Sequence, residues 1–488
     1  MTSERVCVGG VEVATGHFIN GQRVASPSTF EDRSPLDWNL KLADVARGGA
    51  NEAKAAVTAA VDAFDGWAAL TTQERQSYLH RLADLIDANI EQIAAVECLD
   101  MAMLLESLRL RVIGRGARNF RAYADLAVAY EPRRWDSNGT HNAVLRMPAG
   151  PTVVITPWNA PFMLSTWKCA PALAAGNSVV LKPAEWSPLS CSLLMDLVHE
   201  AGFPPGVFNL VQGLGDEVGA ALVNDSRVRR ISFTGSPETG RTIAVAAAQN
   251  LVPFTAELGG KGPFVVYADC DLDLAAQKAS LMYDDAGQVC LAGTRLLVES
   301  SCREPFLERF TAAAGRHVVG DSREPTTTVS PLIHPDHLAR VQGFVDRAVA
   351  SGDRLIFGGR RLSDDGLWFL PTLIEPKSNA SEIVQHEVFG PVLTIQTFDS
   401  EDEAMALANS TAYGLSAMVF TSDQAKADRF AQGVRAGTIW ANCFLVRDLT
   451  APFGGTGISG MGREGGDYAL DFYSEVKTYQ VKEDTTHG

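Results

Sequence analysis

Residues 151–185 read PTVVITPWNAPFMLSTWKCAPALAAGNSVVLKPAE. A short β-branched run, Thr152–Ile155, is followed by a turn at Pro157-Trp158-Asn159, a helix-spaced segment to Ala175 and a second β-rich run, Ser178–Leu181. Strand, helix and strand at this spacing make a parallel pair with a crossover helix. The alternation continues through a helix to Ala201, the run Val207–Val211, a short helix to Asn224, Arg230–Phe233, a helix to Asn250 and Phe254–Leu258. Such a series predicts a parallel sheet with helices on both faces. Ligands of these sheets bind beyond the carboxyl ends of the strands, where Pro157-Trp158-Asn159, Lys182-Pro183-Ala184-Glu185 and Thr234-Gly235-Ser236 fall.

Downstream, a second series runs from Phe264 to Asn442, with strand candidates Arg295–Val298, Val329–Ile333, Leu355–Phe357, Val392–Phe398, Met418–Phe420 and Thr438–Trp440. Upstream, Ala53–Phe64, Gln73–Asn89 and Arg115–Ala129 carry helix-spaced apolar faces. A polar, arginine-rich break at 130–149 and a β-like segment, Phe472–Val481, lie either side of these units, with a glycine-rich stretch at 454–466 before the latter. The expected fold class is α/β: two doubly wound domains plus a small β arm. The first domain takes 1–129 and 147–256, the second 257–450 and the arm 130–146 with 469–488, while 451–468 returns to the first. A mid-chain arm and a late strand that must meet often do so across a subunit interface, which predicts a homodimer or homotetramer.

The chain has 488 residues, 46% hydrophobic and 20% charged, a globular composition. No apolar run approaches the roughly 20 residues that span a bilayer, and the first residues show no signal-peptide pattern, so a cytoplasmic protein without a membrane partner is expected. A formal charge of −16 disfavours nucleic acid. Eight scattered cysteines with no C-x-x-C pair argue against a disulfide framework and a zinc site. His334 and His337 have metal-like spacing, but a proline intervenes and no third ligand is near, so the expectation is a solvated loop and no metal.

Two glycine runs are candidate phosphate cradles. Gly213-Leu-Gly215-Asp-Glu-Val-Gly219 approximates a dinucleotide fingerprint with one residue too many; the plainer reading is a turn and helix start. Gly235-Ser-Pro-Glu-Thr-Gly240 opens a helix, whose N-terminal amides attract anions. Cys290 follows Gly287-Gln-Val, and Glu257 ends the first strand series in Glu-Leu-Gly-Gly. A thiolate is a good nucleophile toward a carbonyl, and a nearby carboxylate can activate the thiol or water. Each also has a plainer fate, a buried small hydrophobe for the cysteine and a surface carboxylate for the glutamate.

Over almost its whole length the sequence resembles the aldehyde dehydrogenase superfamily. The matching segments include Pro157-Trp158-Asn159, Trp167-Lys168, Pro171-Ala-Leu-Ala-Ala-Gly176-Asn177, Lys182-Pro-Ala-Glu185 and Phe233-Thr-Gly-Ser236. They continue with Glu257-Leu258-Gly259-Gly260-Lys261, Gly287-Gln-Val-Cys290, Glu387-Val-Phe389-Gly-Pro391 and Pro452-Phe-Gly-Gly455, in the family's order. The resemblance implies an NAD-dependent oxidation in which Cys290 attacks the aldehyde, Asn159 and the Cys290 amide hold the oxyanion, and Glu257 activates water. Lys168 and Glu464 match positions proposed to relay protons, with a structural ion pair as the alternative. It makes 1–129 with 147–256 the NAD-binding domain and 257–450 the catalytic domain. Lys182 and Glu185 match contacts to the adenosine ribose, Ser236 to the pyrophosphate, Glu387 to the nicotinamide ribose and Phe389 to the nicotinamide. Thr156, Pro157, Trp158, Gly215, Phe233, Gly235, Leu258 and Gly259 complete the expected cofactor cleft.

The segment Asn442-Cys-Phe-Leu-Val-Arg447-Asp448-Leu449, with Gly462-Arg-Glu-Gly-Gly466, is most similar to the branch of 2-hydroxymuconate, aminomuconate and 5-carboxymethyl-2-hydroxymuconate semialdehyde dehydrogenases of aromatic catabolism. The resemblance implies a semialdehyde acid whose carboxylate is gripped by Arg447 and Arg115, with Arg118 an alternative second clamp and Trp167 and Leu291 shaping the pocket. Arg447 paired with Asp448 is the structural alternative. Asp284 and Asp285 depart from the family pattern, in which Asn often stands at the second position. Uncharged aromatic or aliphatic aldehydes are the runner-up substrates. A CoA-acylating enzyme, which typically lacks the glutamate base, and a non-enzymatic structural protein are the rival classes.

Overall fold

The strand Thr152–Ile155 lies inside an eight-stranded sheet in the computed structural model, which describes residues 4–482. Residues 1–3 of the expected first domain and 483–488 of the expected arm lie outside the described residues. The sheet runs Gly460–Met461, Phe254–Glu257, Arg230–Thr234, Thr152–Ile155, Val179–Lys182, Phe208–Leu210, His17–Ile19, Gln22–Val24. The five strands from Phe254–Glu257 to Phe208–Leu210 are mutually parallel; the outer ones are antiparallel. Thr152–Ile155, Val179–Lys182 and Phe208–Leu210 are buried at every position, as strands covered on both faces must be. Helices Ala50–Ala68, Thr72–Ala88, Ile113–Ala129, Pro161–Ala174 and Leu189–Glu200 pack around it.

A seven-stranded sheet forms the second layer system, in the order Arg354–Phe357, Thr372–Glu375, Val392–Phe398, Arg295–Glu299, Pro263–Val266, Ser416–Phe420, Thr438–Ala441. Only its Arg354–Phe357 edge is antiparallel. The chain passes from Phe254–Glu257 to Pro263–Val266 through Leu258-Gly-Gly-Lys-Gly262, so Glu257 stands at the seam between the two sheets. Gly460–Met461 pairs back onto Ala256 and Glu257. Among the described residues no helix is long and apolar enough to cross a membrane.

Several expectations change. Val329–Ile333 is not a strand; Val329 forms one isolated bridge with Val319, and Pro331 removes a ladder donor. Thr372–Glu375, the helix Ile90–Met101 and all the strands before Ala50 are additions to the expected elements. Phe472 ends the helix Gly466–Phe472 rather than starting the last strand. That strand, Ser474–Lys482, pairs with Thr140–Pro148 of the same chain, which pairs in turn with Arg134–Ser137. The arm closes within one chain, so its two segments need no second subunit in order to meet.

Candidate active site

Cys290 reaches the seam on a forced backbone. Asp285, Ala286 and Gly287 adopt φ of 51°, 54° and 67° in succession, and non-glycine residues persist there only when their surroundings hold them. Gln288 provides the hold: its N–H donates to Asp285 O (3.1 Å), its side-chain amide donates to Pro331 O (3.3 Å), and its Oε1 accepts from Ile333 N–H (3.0 Å). The Asn159 amide donates to Gln288 O at 2.9 Å, which fixes a side-chain N–H donor close to the Cys290 segment. Burial pushes the Cys290 thiol up to about 12; Glu387 and Glu257 add to the shift, and Arg447 opposes it.

Glu257 is 5% exposed, and neither carboxylate oxygen has a hydrogen-bond partner among the described residues. Burial, then the charge of Glu464, raise its pKa well above the ordinary carboxylate range, against the pull of Lys168, Arg463 and Arg447. A buried polar group left unpaired demands a reason, and a carboxyl waiting for a water or thiol proton supplies one. Gly454, at φ +156°, packs so closely that a side chain there would come within 2.8 Å of Glu257 Oε1. Glu464 is held from three sides: it is ion-paired with Lys168, accepts from the Trp167 indole N–H at 2.6 Å and from Ser232 Oγ at 3.2 Å. Lys168 and Glu464 therefore form the buried ion pair of the structural alternative, placed against Glu257.

Most of the expected cofactor residues follow strands of the first sheet, while Glu387 and Phe389 precede Val392–Phe398 of the second. Lys182 Nζ is ion-paired with Glu185 at 2.9 Å. Ser236 caps the helix Pro237–Gln249, and its Oγ accepts from Thr239 N–H. The Gly235 amide is not free for an anion, because it donates to Glu257 O at 3.1 Å and extends the sheet by one residue; a side chain there would strike the Phe233 ring. Thr156 is likewise engaged, its N–H with Lys182 O and its hydroxyl with Ser165. Gly215 opens a one-turn helix, Gly215–Gly219. Gly213, at φ +134°, is required by close approach to the Gly48 backbone, so this run is a turn and helix start. Glu387 Oε1 accepts from Gly260 N–H at 2.7 Å, and a side chain at Gly259 would meet Glu387 at 2.1 Å. Burial lifts the Glu387 carboxyl to about 7. Leu258 donates its N–H to Ser459 O and packs under Gly240.

Trp158, next to Pro157, makes edge contacts with Phe389 and His337, both at 5.3 Å. His337 is buried and bonded to Phe389 O, while His334 caps the helix Pro335–Ala350 and stacks on Trp186. The solvated-loop expectation for these histidines fails because both rings pack against aromatic neighbours.

Two guanidiniums flank the Trp167 ring, Arg115 at 5.5 Å and Arg447 at 5.7 Å from its centroid, and Arg447 also lies 3.9 Å over Phe453. Neither makes an ion pair among the described residues. Asp448, the suggested partner, accepts instead from Thr450 N–H and Oγ1. Burial, with Arg447 and Arg118 nearby, lowers Arg115 to about 10, and burial lowers Arg447. Arg118 is exposed and donates to Arg111 O, so Arg115 is the one that faces Trp167. Leu291 is 8% exposed, within the second sheet's core. Tyr123 and Phe453 also belong here: Tyr123 sets its edge on Trp167 at 5.7 Å. Its spacing of i, i+4, i+8 with Arg115 and Asn119 marks one helix face and was legible in the sequence.

Comparison with known proteins agrees with this geometry. The model of the "Aldehyde dehydrogenase family" matches residues 23–479. The 2-hydroxymuconic semialdehyde dehydrogenase of Pseudomonas sp. (strain CF600) is 41% identical, with 96% of this chain and 99% of that one covered. The crystal structure of HpcC from Thermus thermophilus superposes with a TM-score of 0.94 at 42% identity, covering 99% of this chain and 98% of that one. A mutant of the indole-3-acetaldehyde dehydrogenase AldA of P. syringae, in complex with NAD+ and IAA, gives 0.95 at 36% identity, covering 97% of each chain. The chain belongs to the aldehyde dehydrogenase family.

Proposed function

We propose that the protein oxidises a muconic-type semialdehyde acid to the dicarboxylic acid with NAD as hydride acceptor, Arg447 and Arg115 gripping the substrate's distal carboxylate. The observation that carries the substrate class is the pair of half-buried guanidiniums on Trp167, which have no ion-paired acid among the described residues beside the Cys290–Glu257 centre. A guanidinium binds a carboxylate through two parallel hydrogen bonds. The curated relative named for 2-hydroxymuconic semialdehyde supports the same reading.

The cleft fits a dinucleotide. Lys182 and Glu185 present a cation and a carboxylate for ribose hydroxyls, Ser236 begins a helix whose N-terminus favours phosphate, and the Glu387 carboxyl and Phe389 ring stand by Gly259 and Trp158. Held there, NAD would supply the hydride acceptor. The Cys290 thiol gives up its proton to solvent, the thiolate sulfur adds to the aldehyde carbon, and the carbonyl electron pair moves to oxygen, where the Asn159 amide and the Cys290 N–H donate to it. Loss of hydride leaves a thioester on Cys290. Glu257 takes a proton from water, the hydroxyl oxygen adds to the thioester carbon, and the thiolate leaves as the acid forms. A buried Glu257 with no hydrogen-bond partner among the described residues supports release by water over transfer to CoA.

The test is Arg447→Ala. Truncating one partner of a buried charged pair costs about 2–5 kcal/mol, roughly 30- to several thousand-fold in affinity. KM for a semialdehyde acid is expected to rise by that order, and KM for an uncharged aldehyde of equal length to change little. Equal penalties on both would return the choice to neutral aromatic or aliphatic aldehydes. Cofactor choice gives a second prediction. The Glu185 carboxylate accepts hydrogen bonds from hydroxyls and repels a 2′-phosphate, so kcat/KM is expected to favour NAD over NADP, and Glu185→Gln to narrow the ratio.

Assembly into a homodimer or homotetramer is part of the same proposal. Val476, Tyr479 and Val481 on the arm, and Val245 and Leu251 on and after the helix Pro237–Gln249, are exposed apolar side chains, which is what a subunit contact would cover. The cytoplasm is the proposed compartment, since all eight cysteines are free and thiols stay reduced there.

A further inference from the structure

The loop 387–390 is held in a backbone shape it would not adopt alone. Phe389 has φ of 61°, in the left-handed region that a bulky residue occupies only when its surroundings over-determine it. The hold comes from one helix, Pro335–Ala350. The His337 ring meets the Phe389 carbonyl at 2.7 Å. A carbonyl only accepts, so the proton sits on Nε2. His337 is 6% exposed, and burial lowers its ring to about 4, so it donates as a neutral imidazole. Nearly one turn on, Arg340 donates to the Glu387 carbonyl at 2.8 Å. Val341 fills the space beside Gly390, where a side chain would meet it at 2.7 Å. Residues 337, 340 and 341 share one helix face, and that face grips the loop at three points. The same helix start is tied to the rest of the centre. Ile333 N–H donates to Gln288 Oε1 at 3.0 Å, which sets its register against the Cys290 segment, and a side chain on Gly287 would meet the Gly390 carbonyl at 2.3 Å. His334 stacks on Trp186 at 4.5 Å, next in sequence to Glu185. The Trp158 ring lies 5.3 Å from both His337 and Phe389.

We infer that His337 is a positioning residue for the nicotinamide end of the cofactor cleft: through the Phe389 carbonyl it locks the loop 387–390 in the one conformation that presents the Phe389 ring and the Glu387 carboxyl together, with Arg340 as the second tie. The inference deepens the cofactor reading and rests on it. His337 acts through the loop and not by touching the cofactor. Without its bond, Phe389 relaxes toward negative φ, and the ring and the neighbouring carboxyl lose their common placement. NAD then binds only the fraction of molecules whose loop is in place, and its apparent affinity falls by that fraction. Lys182, Glu185 and Ser236, at the adenosine end, lie on other elements and keep their geometry.

The experiment is isothermal titration of the full-length protein with NAD and with AMP, which lacks the nicotinamide half. His337→Leu is expected to raise the Kd for NAD roughly tenfold, the order set by releasing a bulky residue from the left-handed region, and to leave the Kd for AMP unchanged. His337→Asn should match it, because its amide nitrogen stands near the place of Nδ1 and falls short of the carbonyl. His337→Gln should restore NAD affinity, because its amide nitrogen reaches the place of Nε2 and donates. The contrast between asparagine and glutamine decides the matter if the leucine variant fails to fold. Unchanged NAD affinity in His337→Asn, equal weakening of NAD and AMP, or failure of glutamine to rescue would each overturn the inference. Phe389→Ala reads the underlying assignment, with weaker NAD binding and unchanged AMP binding expected. Unchanged NAD binding there would remove the loop from the cofactor cleft and the inference with it, whereas a loss there with none in the His337 variants would overturn the inference alone.

Discussion

Cys290→Ala is expected to abolish aldehyde oxidation while leaving NAD binding intact. The residue is fixed by Gln288 and Asn159 rather than by its own side chain, so removing Sγ should not disturb the segment that presents it. The contacts expected to bind NAD, at Lys182, Glu185 and Ser236, lie on other elements. The loss should be on the order of 10⁶ in kcat, as for other covalent nucleophiles, because no alternative path forms the thioester. Among the eight free cysteines, Cys169, Cys191 and Cys98 are buried in the first core and cannot substitute. Turnover assays with isothermal titration of NAD decide the point. Residual turnover above background would remove Cys290 from the reaction, and lost NAD binding would show that the cysteine supports the cleft itself.

Which parts of this were readable beforehand follows from burial. Thr152–Ile155 coincides with its expected span because a fully buried parallel strand writes a short apolar run bounded by turns, and Val392–Phe398 does so through a β-branched and apolar run that is buried over its first four residues. The N-terminal strands escaped because they are short and mostly partly exposed, as in the pattern of Gln22–Val24; they pair with one another in small local ladders, and buried His17–Ile19 joins the large sheet through Phe208–Leu210, nearly two hundred residues away. Cys290 and Glu257 were each ambiguous alone, since a free cysteine and a glutamate after a strand have ordinary fates. Their proposed roles came from the order and spacing of many motifs, through family resemblance. No local pattern could show that the Gly235 amide is consumed by Glu257 O, that His337 bonds to the Phe389 carbonyl, or that the arm closes on its own chain. Those depend on tertiary contacts. The lack of an ion-pair partner for Arg115 and Arg447 among the described residues is of the same kind: the residue types were visible, but their surroundings are a property of the fold.

Glu257→Gln is expected to leave the acylation half of the reaction largely in place and slow release of the acid by ~10²–10⁴, the usual cost of losing a general base. Glutamine keeps the shape at the Gly454 contact but cannot take a proton. A burst of NADH equal to the active sites, then slow turnover, with an acyl adduct on Cys290 by mass spectrometry, is the signature; an unchanged steady-state rate would exclude Glu257 as the base. The pH profile sharpens the test. Burial and Glu464 raise the Glu257 pKa, so the basic form is gained only as pH rises through that elevated value. Deacylation in the wild type should climb on that limb, and the limb should disappear in the glutamine variant. Stability has the opposite dependence. Between the unfolded carboxyl's ordinary pKa and the raised folded one, the native state holds a proton that the unfolded chain has released. Native stability therefore falls as pH rises through this window. Glutamine, which never has to ionise in the buried seam, should melt at higher temperature than the wild type on the alkaline side, with the difference shrinking toward acid pH. The carboxyl proposed to drive hydrolysis is thus held at a cost to the fold, and the same variant measures both sides of that exchange.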